Sequence, residues 1–162
     1  NNIMNWIIFT TECSGKTTFC NRNANKIGKY ELIDYDKITP LSDEVVLIDI
    51  ILELKNKDNQ IYLTNIVPPE FILNCNKHFE NLSFGIVKIK EEILIENIKN
   101  RHHILYNSNY ILEYNKKLES IIQYSKTLMN KILSVNSFDE FKNVLYPPPP
   151  PKINLTKRII RL

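Results

Sequence analysis

The chain has 162 residues, of which 43% are hydrophobic, so it is long enough for one domain with a substantial buried core. Its 21 basic and 18 acidic residues leave a net charge of +3, which is too balanced to indicate a nucleic-acid-binding protein by charge alone. The longest apolar runs reach only about seven residues, far short of a bilayer span, so we expect no membrane-spanning segment.

The three cysteines, Cys13, Cys20 and Cys75, are an odd number without the spacing of a metal site. This pattern predicts a reducing, cytoplasmic setting rather than a disulfide-linked secreted domain. His102 and His103 are adjacent, so their side chains point in different directions, and no third ligand lies nearby in sequence. The pair therefore does not indicate a metal centre.

Short apolar runs alternate with segments of helical periodicity along the chain. The predicted strands are Trp6–Phe9, Tyr30–Ile33, Gln60–Thr64 and Phe84–Ile89, with a fifth strand or a last helical turn at Ile132–Val135. The predicted helices are Thr17–Lys29 with Gly28 near its end, a helix capped by Ser42, one that starts at Pro68-Pro69, and then Glu91–Arg101, Tyr110–Leu128 and Phe138–Leu145. This order predicts an α/β fold with a parallel sheet of four or five strands and helices on both faces.

Two predicted helices have an assigned apolar face. In the helix after Ser42 we expect the buried residues to be Val45, Val46, Ile48, Ile51, Leu52 and Leu54. In the helix after Pro68-Pro69 we expect them to be Phe71, Ile72, Cys75 and Phe79.

Five consecutive prolines, Pro147–Pro151, end the predicted domain. Such a run favours a stiff polyproline II segment, which divides the chain into a domain of residues 1–146 and a tail of residues 147–162. The tail carries Lys157, Arg158 and Arg161 and is either a solvated end or a contact for nucleic acid or a protein partner.

The most informative segment is Thr10-Thr11-Glu12-Cys13-Ser14-Gly15-Lys16-Thr17, between the first predicted strand and the first helix. It matches the phosphate-binding pattern G-x-x-x-x-G-K-[ST] at every fixed position except the first. The backbone amides of such a loop and the start of its helix attract phosphate groups. We therefore expect the segment from Thr11 to Thr18 to bind ATP.

Within the loop, Lys16 would reach the β- and γ-phosphates and the Thr17 hydroxyl would hold Mg²⁺. Two residues depart from the usual composition. Thr10 replaces a glycine, so we expect backbone strain there of about 1–2 kcal/mol. Glu12 places a carboxylate in a loop that binds anions.

On these residues the chain resembles the small P-loop kinases, which include polynucleotide 5′-kinases and nucleoside or nucleotide kinases. The resemblance spans Trp6 to Val135 and implies a three-layer P-loop NTPase fold. It also implies ATP and Mg²⁺ as cofactors, and a nucleoside, a nucleotide or a polynucleotide 5′ end as acceptor. Such kinases place an acid after the second strand, and Asp34 and Asp36 lie there. The resemblance implies that Asp36 accepts the acceptor's proton and that Asp34 helps hold Mg²⁺, although a solvated Asp-x-Asp turn is the plain alternative.

The resemblance has further consequences at two other positions. Polynucleotide kinases carry D-T-N after the third strand, where this chain has Leu63-Thr64-Asn65, so the expected acid is missing. In these kinases the helix after the fourth strand leads to a lid whose arginines neutralise the transferred phosphoryl group, and Arg101 is the candidate lid arginine. Arg101 would otherwise be a cation at a helix C-terminus.

The departures at Thr10, Glu12 and Leu63 keep a second hypothesis open, namely a non-catalytic nucleotide-binding or scaffold protein. An ATPase or GTPase switch is a third hypothesis. It has less support, because Asn76-Lys77-His78-Phe79 begins like the guanine motif N-K-x-D but lacks its aspartate.

Overall fold

The computed structural model describes residues 4–37, 40–69, 81–101, 108–128 and 132–152. The strands are β1 (Asn5–Phe9), β2 (Lys26–Ile27), β3 (Tyr30–Tyr35), β4 (Gln60–Thr64), β5 (Leu82–Val87) and β6 (Leu133–Val135). The helices in these ranges are α1 (Lys16–Arg22), α2 (Asp43–Leu54), α3 (Glu91–Lys99), α4 (Ser108–Ser125) and α5 (Phe138–Leu145). The alternation of strands and helices that the sequence predicts is confirmed.

The six strands form one sheet in the order β2-β3-β4-β1-β5-β6. Every neighbouring pair is parallel except β2 with β3, which is antiparallel. The central strand β1 lies between β4 and β5, with Ile8 level with Leu63 on one side and with Gly85 on the other. The carboxyl ends of β1, β3 and β4 therefore lie along the same edge, where α/β proteins place their ligands.

The sheet is covered on both faces because its central strands are apolar throughout. Ile7 and Phe9 belong to a core formed with α2 and α4, whereas Ile8 belongs to a second core formed with α1, α3 and α5. This alternation follows from the two-residue period of a strand. None of the helices in the described ranges has the length and apolar character needed to cross a membrane.

The first helix is shorter than predicted. It ends at Arg22 rather than Lys29, because Ala24 and Asn25 have left-handed φ values of 52° and 58° and turn the chain back. The next residues form β2, a strand that the sequence analysis missed. Gly28 lies in the β2–β3 turn with φ 54° and not at a helix end.

The helix after Ser42 is confirmed, since the Ser42 side chain accepts a hydrogen bond from the Val45 amide at 3.3 Å. Its predicted apolar face is partly wrong. The buried residues are Val46, Leu47, Ile50 and Leu54, whereas Val45, Ile48 and Leu52 are exposed. Apolar residues occur almost all round α2, so periodicity could not select a face, and packing on the sheet selected it.

Other predicted elements are close to the structure. The last strand is present as β6, and the helix expected at Tyr110–Leu128 is α4, which begins two residues earlier and ends at Ser125. The helix that the sequence predicts to start at Pro68-Pro69 falls largely on residues 70–80, which are outside the described residues. His102, His103 and residues 153–162 of the tail are also outside them.

Candidate functional site

The segment from Thr10 to Gly15 forms a tight loop between β1 and α1. Cys13 has a left-handed φ of 60° and Gly15 one of 93°. Glycine reaches this region without strain, which explains its use immediately before the helix. The Phe19 amide donates to the Gly15 carbonyl at 2.8 Å, so the first helical turn closes directly on the loop. The loop is thus a strand-to-helix connection of the kind that cradles phosphate.

Thr10 does not carry the expected backbone strain. It has no positive φ; the strained non-glycine residue of the loop is Cys13. The Thr10 hydroxyl donates to the Val87 carbonyl at 2.9 Å, and the Thr10 amide donates to the Thr64 carbonyl at 3.0 Å. The residue that replaces the usual glycine therefore joins the start of the loop to the ends of β5 and β4.

Lys16 lies between two carboxylates from the end of β3. Its ammonium group is 2.8 Å from Asp34 Oδ1 and also forms an ion pair with Asp36. The Lys16 side chain is only 8% exposed, whereas that of Asp36 is 71% exposed. The two aspartates thus share the side of the strand end that faces the loop, as their spacing predicts.

The Thr17 hydroxyl donates to Asp34 Oδ2 at 2.7 Å. Hydroxyl and carboxylate oxygens are ligands that Mg²⁺ accepts together with water and phosphate oxygens. Asp34 and Thr17 therefore fit a metal ion that a nucleotide would bring with it. Among the described residues, no group of three or more His, Cys, Asp or Glu side chains could hold a metal by protein ligands alone.

A cavity of about 280 Å³ lies above the loop. Its charged lining residues are Lys16, Lys37, Arg101, Glu12 and Asp36. The hydroxyls of Thr11 and Ser14 also belong to residues of this lining, are buried, and have no hydrogen-bond partner within the described ranges. Buried polar atoms normally have partners, so these two hydroxyls indicate a site built for a ligand.

A larger cavity of about 490 Å³ lies on the other side of the loop, between α1, α3 and the start of α5. Gly15 and Thr18 form its floor, and Phe19, Ile89 and Phe138 give it apolar walls. Arg101 borders both cavities and is exposed. The two cavities together could hold a nucleoside and its phosphates.

A third cavity of about 160 Å³ shares Lys37 and Asn65 with the first. Lys37 is ion-paired with Asp43 at 2.7 Å, and the other Asp43 oxygen accepts from the Val67 amide at 3.1 Å. The Lys37–Asp43 hydrogen bond raises the pKa of Lys37, so this lysine stays charged at neutral pH.

The run Leu63-Thr64-Asn65 stands where polynucleotide kinases carry D-T-N. Its first and last residues, Leu63 and Asn65, lie in different environments. Asn65 Oδ1 accepts from the Lys37 amide at 3.1 Å, and its amide nitrogen is 3.5 Å from Glu12 Oε1. Leu63 is fully buried in the core beneath the loop. An acid at position 63 is therefore absent for a packing reason, whereas Asn65 reaches the cavity.

One contact at the loop was missed by the sequence analysis. Asn97 of α3 donates from Nδ2 to the Cys13 carbonyl at 2.8 Å. Arg101 follows the end of α3 by two residues and lines the same cavity as Asn97. The sequence predicted the helix, but only the fold shows that Asn97 meets the loop.

The Cys13 thiol is not activated by its position. Burial raises its pKa, and the positive charge of Arg101 opposes this only in part. A nucleophilic cysteine requires a lowered pKa. Cys13 is therefore a packing residue of the loop.

Comparison with known proteins finds similarity among solved structures. No protein-family model matches the chain, and no curated protein matches its sequence. Among solved structures, a gluconokinase from Sinorhizobium meliloti 1021 aligns with a TM-score of 0.55 and 15% sequence identity, covering 82% of each chain. At this identity the similarity establishes the fold, which is that of a P-loop kinase.

Proposed function

We propose that the protein is an ATP- and Mg²⁺-dependent phosphotransferase that transfers the γ-phosphoryl group to an acceptor hydroxyl. The observation that carries this proposal is the meeting of Lys16 and Thr17 with Asp34 and Asp36 beside a cavity that Lys16, Thr17 and Asp36 line. These residues supply a phosphate-binding cation, metal ligands and a base. The sequence resemblance adds nucleosides, nucleotides and polynucleotide 5′ ends as acceptor candidates, and the structural neighbour is a kinase by name.

In the proposed complex the loop amides and Lys16 bind the phosphates, while the larger cavity holds the nucleoside. Mg²⁺, bound through Thr17 and Asp34, would offset negative charge on the phosphates. Because Lys16 forms ion pairs with Asp34 and Asp36 in the protein alone, phosphate binding must draw the ammonium group away from Asp36. That exchange frees the Asp36 carboxylate to accept the acceptor's proton.

Arg101 completes the proposed arrangement. It borders the cavities for nucleoside and phosphate, so its guanidinium can reach oxygens of the transferred group. Preorganised cations of this kind act by stabilising charge that develops in the transition state. Thr11, Cys13, Ser14, Gly15 and Thr18 would serve nucleotide binding through the loop backbone and hydroxyls.

Calorimetric titration of ATP with Mg²⁺ into the wild type and Lys16→Ala tests nucleotide binding. Lys26→Ala, which removes an exposed lysine on β2, is the matched control. We expect micromolar binding that Lys16→Ala abolishes and Lys26→Ala preserves. Asp36→Asn should keep ATP binding but slow transfer by about 100-fold or more, which is the scale of general base catalysis.

A catalytically inactive nucleotide-binding or scaffold protein is the second candidate. Glu12 in the phosphate cavity and the buried Leu63 at the family's acid position favour it. In that case the proline run and basic tail would contact a protein partner, and partner binding would persist in Lys16→Ala. Labelled ATP incubated with an acceptor library decides between the two, because only a kinase yields a labelled product that disappears with Asp36→Asn.

A further inference from the structure

The cavity of about 160 Å³ beside the phosphate cavity is in the right place for the acceptor. The two cavities share Lys37 and Asn65, and the exposed carboxylate of Asp36 stands next to Lys37 in the chain. An acceptor with its hydroxyl at Asp36 would therefore place the rest of its structure here. Pockets for drug-sized ligands usually measure about 300–1,000 Å³, so this cavity fits a smaller molecule.

The charges around the path from Asp36 into this cavity are predominantly negative. In the described part of the chain the carboxylates are Glu12, Asp36, Asp43 and Glu113, and the lysines are Lys37 and Lys117. Lys16 and Arg101 also line the phosphate cavity, but in the proposed function they serve the phosphates of ATP. Four carboxylates against two lysines leave two negative charges on the acceptor side.

The lysines on this side are already balanced by local carboxylates. Lys37 is bound to Asp43 at 2.7 Å. Lys117 and Glu113 both line the cavity from α4 and are one helical turn apart, so their charges offset each other. When the phosphates of ATP hold Lys16 in the proposed complex, the described lining carboxylates without a balancing lysine are Glu12 and Asp36, which stand at the point of transfer.

Polar side chains in the walls of the two cavities provide separate evidence that this region binds a ligand. The Thr11 hydroxyl is buried, unpartnered in the described structure and part of the adjoining cavity wall. The Asn65 side chain connects the Lys37 amide with Glu12 and lines both cavities. Tyr110 and Tyr114 add aromatic surface to the acceptor cavity, and the Tyr114 hydroxyl itself is bound to the Ile66 carbonyl.

We infer that the acceptor is a small hydroxylated molecule that is neutral or carries an ammonium group, and that phosphorylated acceptors are excluded. The inference rests on the proposed function. In the reaction the acceptor oxygen bonds to the γ-phosphorus, its proton passes to Asp36, and the bond from that phosphorus to the β-phosphate oxygen breaks to release ADP. A phosphate on the acceptor would face Glu12 and Asp36, while the described cations of the lining are paired with carboxylates or engaged by ATP, and like charges in contact disfavour binding strongly.

Three six-carbon polyols that differ mainly in charge test the inference: D-glucamine, D-glucitol and D-gluconate. Adenosine and AMP extend the comparison to nucleosides. We expect ADP release and labelled product with the cationic or neutral polyol, with kcat/KM at least tenfold above that for gluconate. AMP should be phosphorylated no faster than adenosine. Raising the salt concentration should lower kcat/KM for glucamine and leave that for glucitol unchanged.

Charge-neutralising variants identify the residues responsible. Glu113→Gln should reduce the preference for glucamine over gluconate by about fivefold or more, with ATP binding retained. Glu12→Gln should reduce the preference similarly, and because Glu12 belongs to the phosphate loop this variant is compared at saturating ATP. Glu92→Gln removes an exposed carboxylate that lines none of these cavities and should leave the preference unchanged. Preferred transfer to gluconate or AMP would overturn the inference while the kinase proposal stands. Intact ATP binding without transfer to any of the five compounds would also overturn it, whereas loss of ATP binding would contradict the proposed function itself.

Discussion

Thr10 offers the sharpest test of how this loop is built, because sequence and structure give opposite expectations for Thr10→Gly. The family pattern places glycine here, so restoring it should relieve strain and stabilise the protein. In the structure Thr10 is fully buried, unstrained and hydrogen-bonded through its hydroxyl to Val87 at 2.9 Å. On that geometry the glycine variant loses an interaction and gains nothing.

The expected loss has two parts. A buried hydrogen bond contributes about 0.5–1.5 kcal/mol, and glycine adds about 0.5–1 kcal/mol of backbone entropy to the unfolded chain. Thr10→Gly should therefore lower the free energy of unfolding by about 2 kcal/mol. For a chain of this size that corresponds to a fall in Tm of roughly 4–8 °C.

Urea unfolding followed by circular dichroism measures the change, which should appear in the midpoint with the slope m unaltered. Thr10→Ser is the control, because it keeps the hydroxyl and should lose less than half as much stability. A glycine variant as stable as the wild type would show that the Val87 hydrogen bond contributes nothing. A more stable one would show that Thr10 is strained, which would refute the geometry described for the loop.

Three further predictions concern the hairpin, a buried thiol and the loop contact of α3. Gly28→Ala should lower stability by at least about 1–2 kcal/mol in thermal unfolding, since the residue has φ 54° and a Cβ would overlap the Tyr146 ring. Unchanged stability would contradict that packing. Burial, with a smaller contribution from Asp34, raises the pKa of Cys20 to about 11, so stability should fall as pH rises from about 9 towards 11, where the unfolded chain loses the thiol proton first. The fall should be smaller in Cys20→Ala, where the raised pKa values of Cys13, Tyr62 and Tyr114 still contribute. An equal fall in that variant would show that Cys20 contributes nothing. Asn97→Ala should raise the ATP dissociation constant up to about tenfold, the equivalent of one hydrogen bond. Asn143→Ala, which removes an exposed asparagine of α5 that lines none of the three cavities, is the control, and an unaffected Asn97→Ala would exclude a role for the Cys13 carbonyl contact.

The sequence by itself determined the elements that depend on local patterns. The apolar run before Thr10, the glycine at position 15 and the Ser42 cap each reflect preferences that act within a few residues. The alternation of strands and helices then led to a parallel sheet, which brings the ends of β1 and β3 to one edge. For that reason the proximity of Asp34 and Asp36 to Lys16 could be anticipated from the chain alone.

Tertiary structure decided the features that depend on which surfaces meet. The face of α2 that is buried could not be predicted, because Val45 and Val46 are equally apolar and only the sheet distinguishes them. The role of Thr10 as a link between β4 and β5 needed the positions of Thr64 and Val87, which are far away in sequence. The charge around the acceptor cavity likewise arises from residues of four separate segments. Local preference sets the elements, but long-range packing sets the environment of each side chain, and the chemistry of the site depends on that environment.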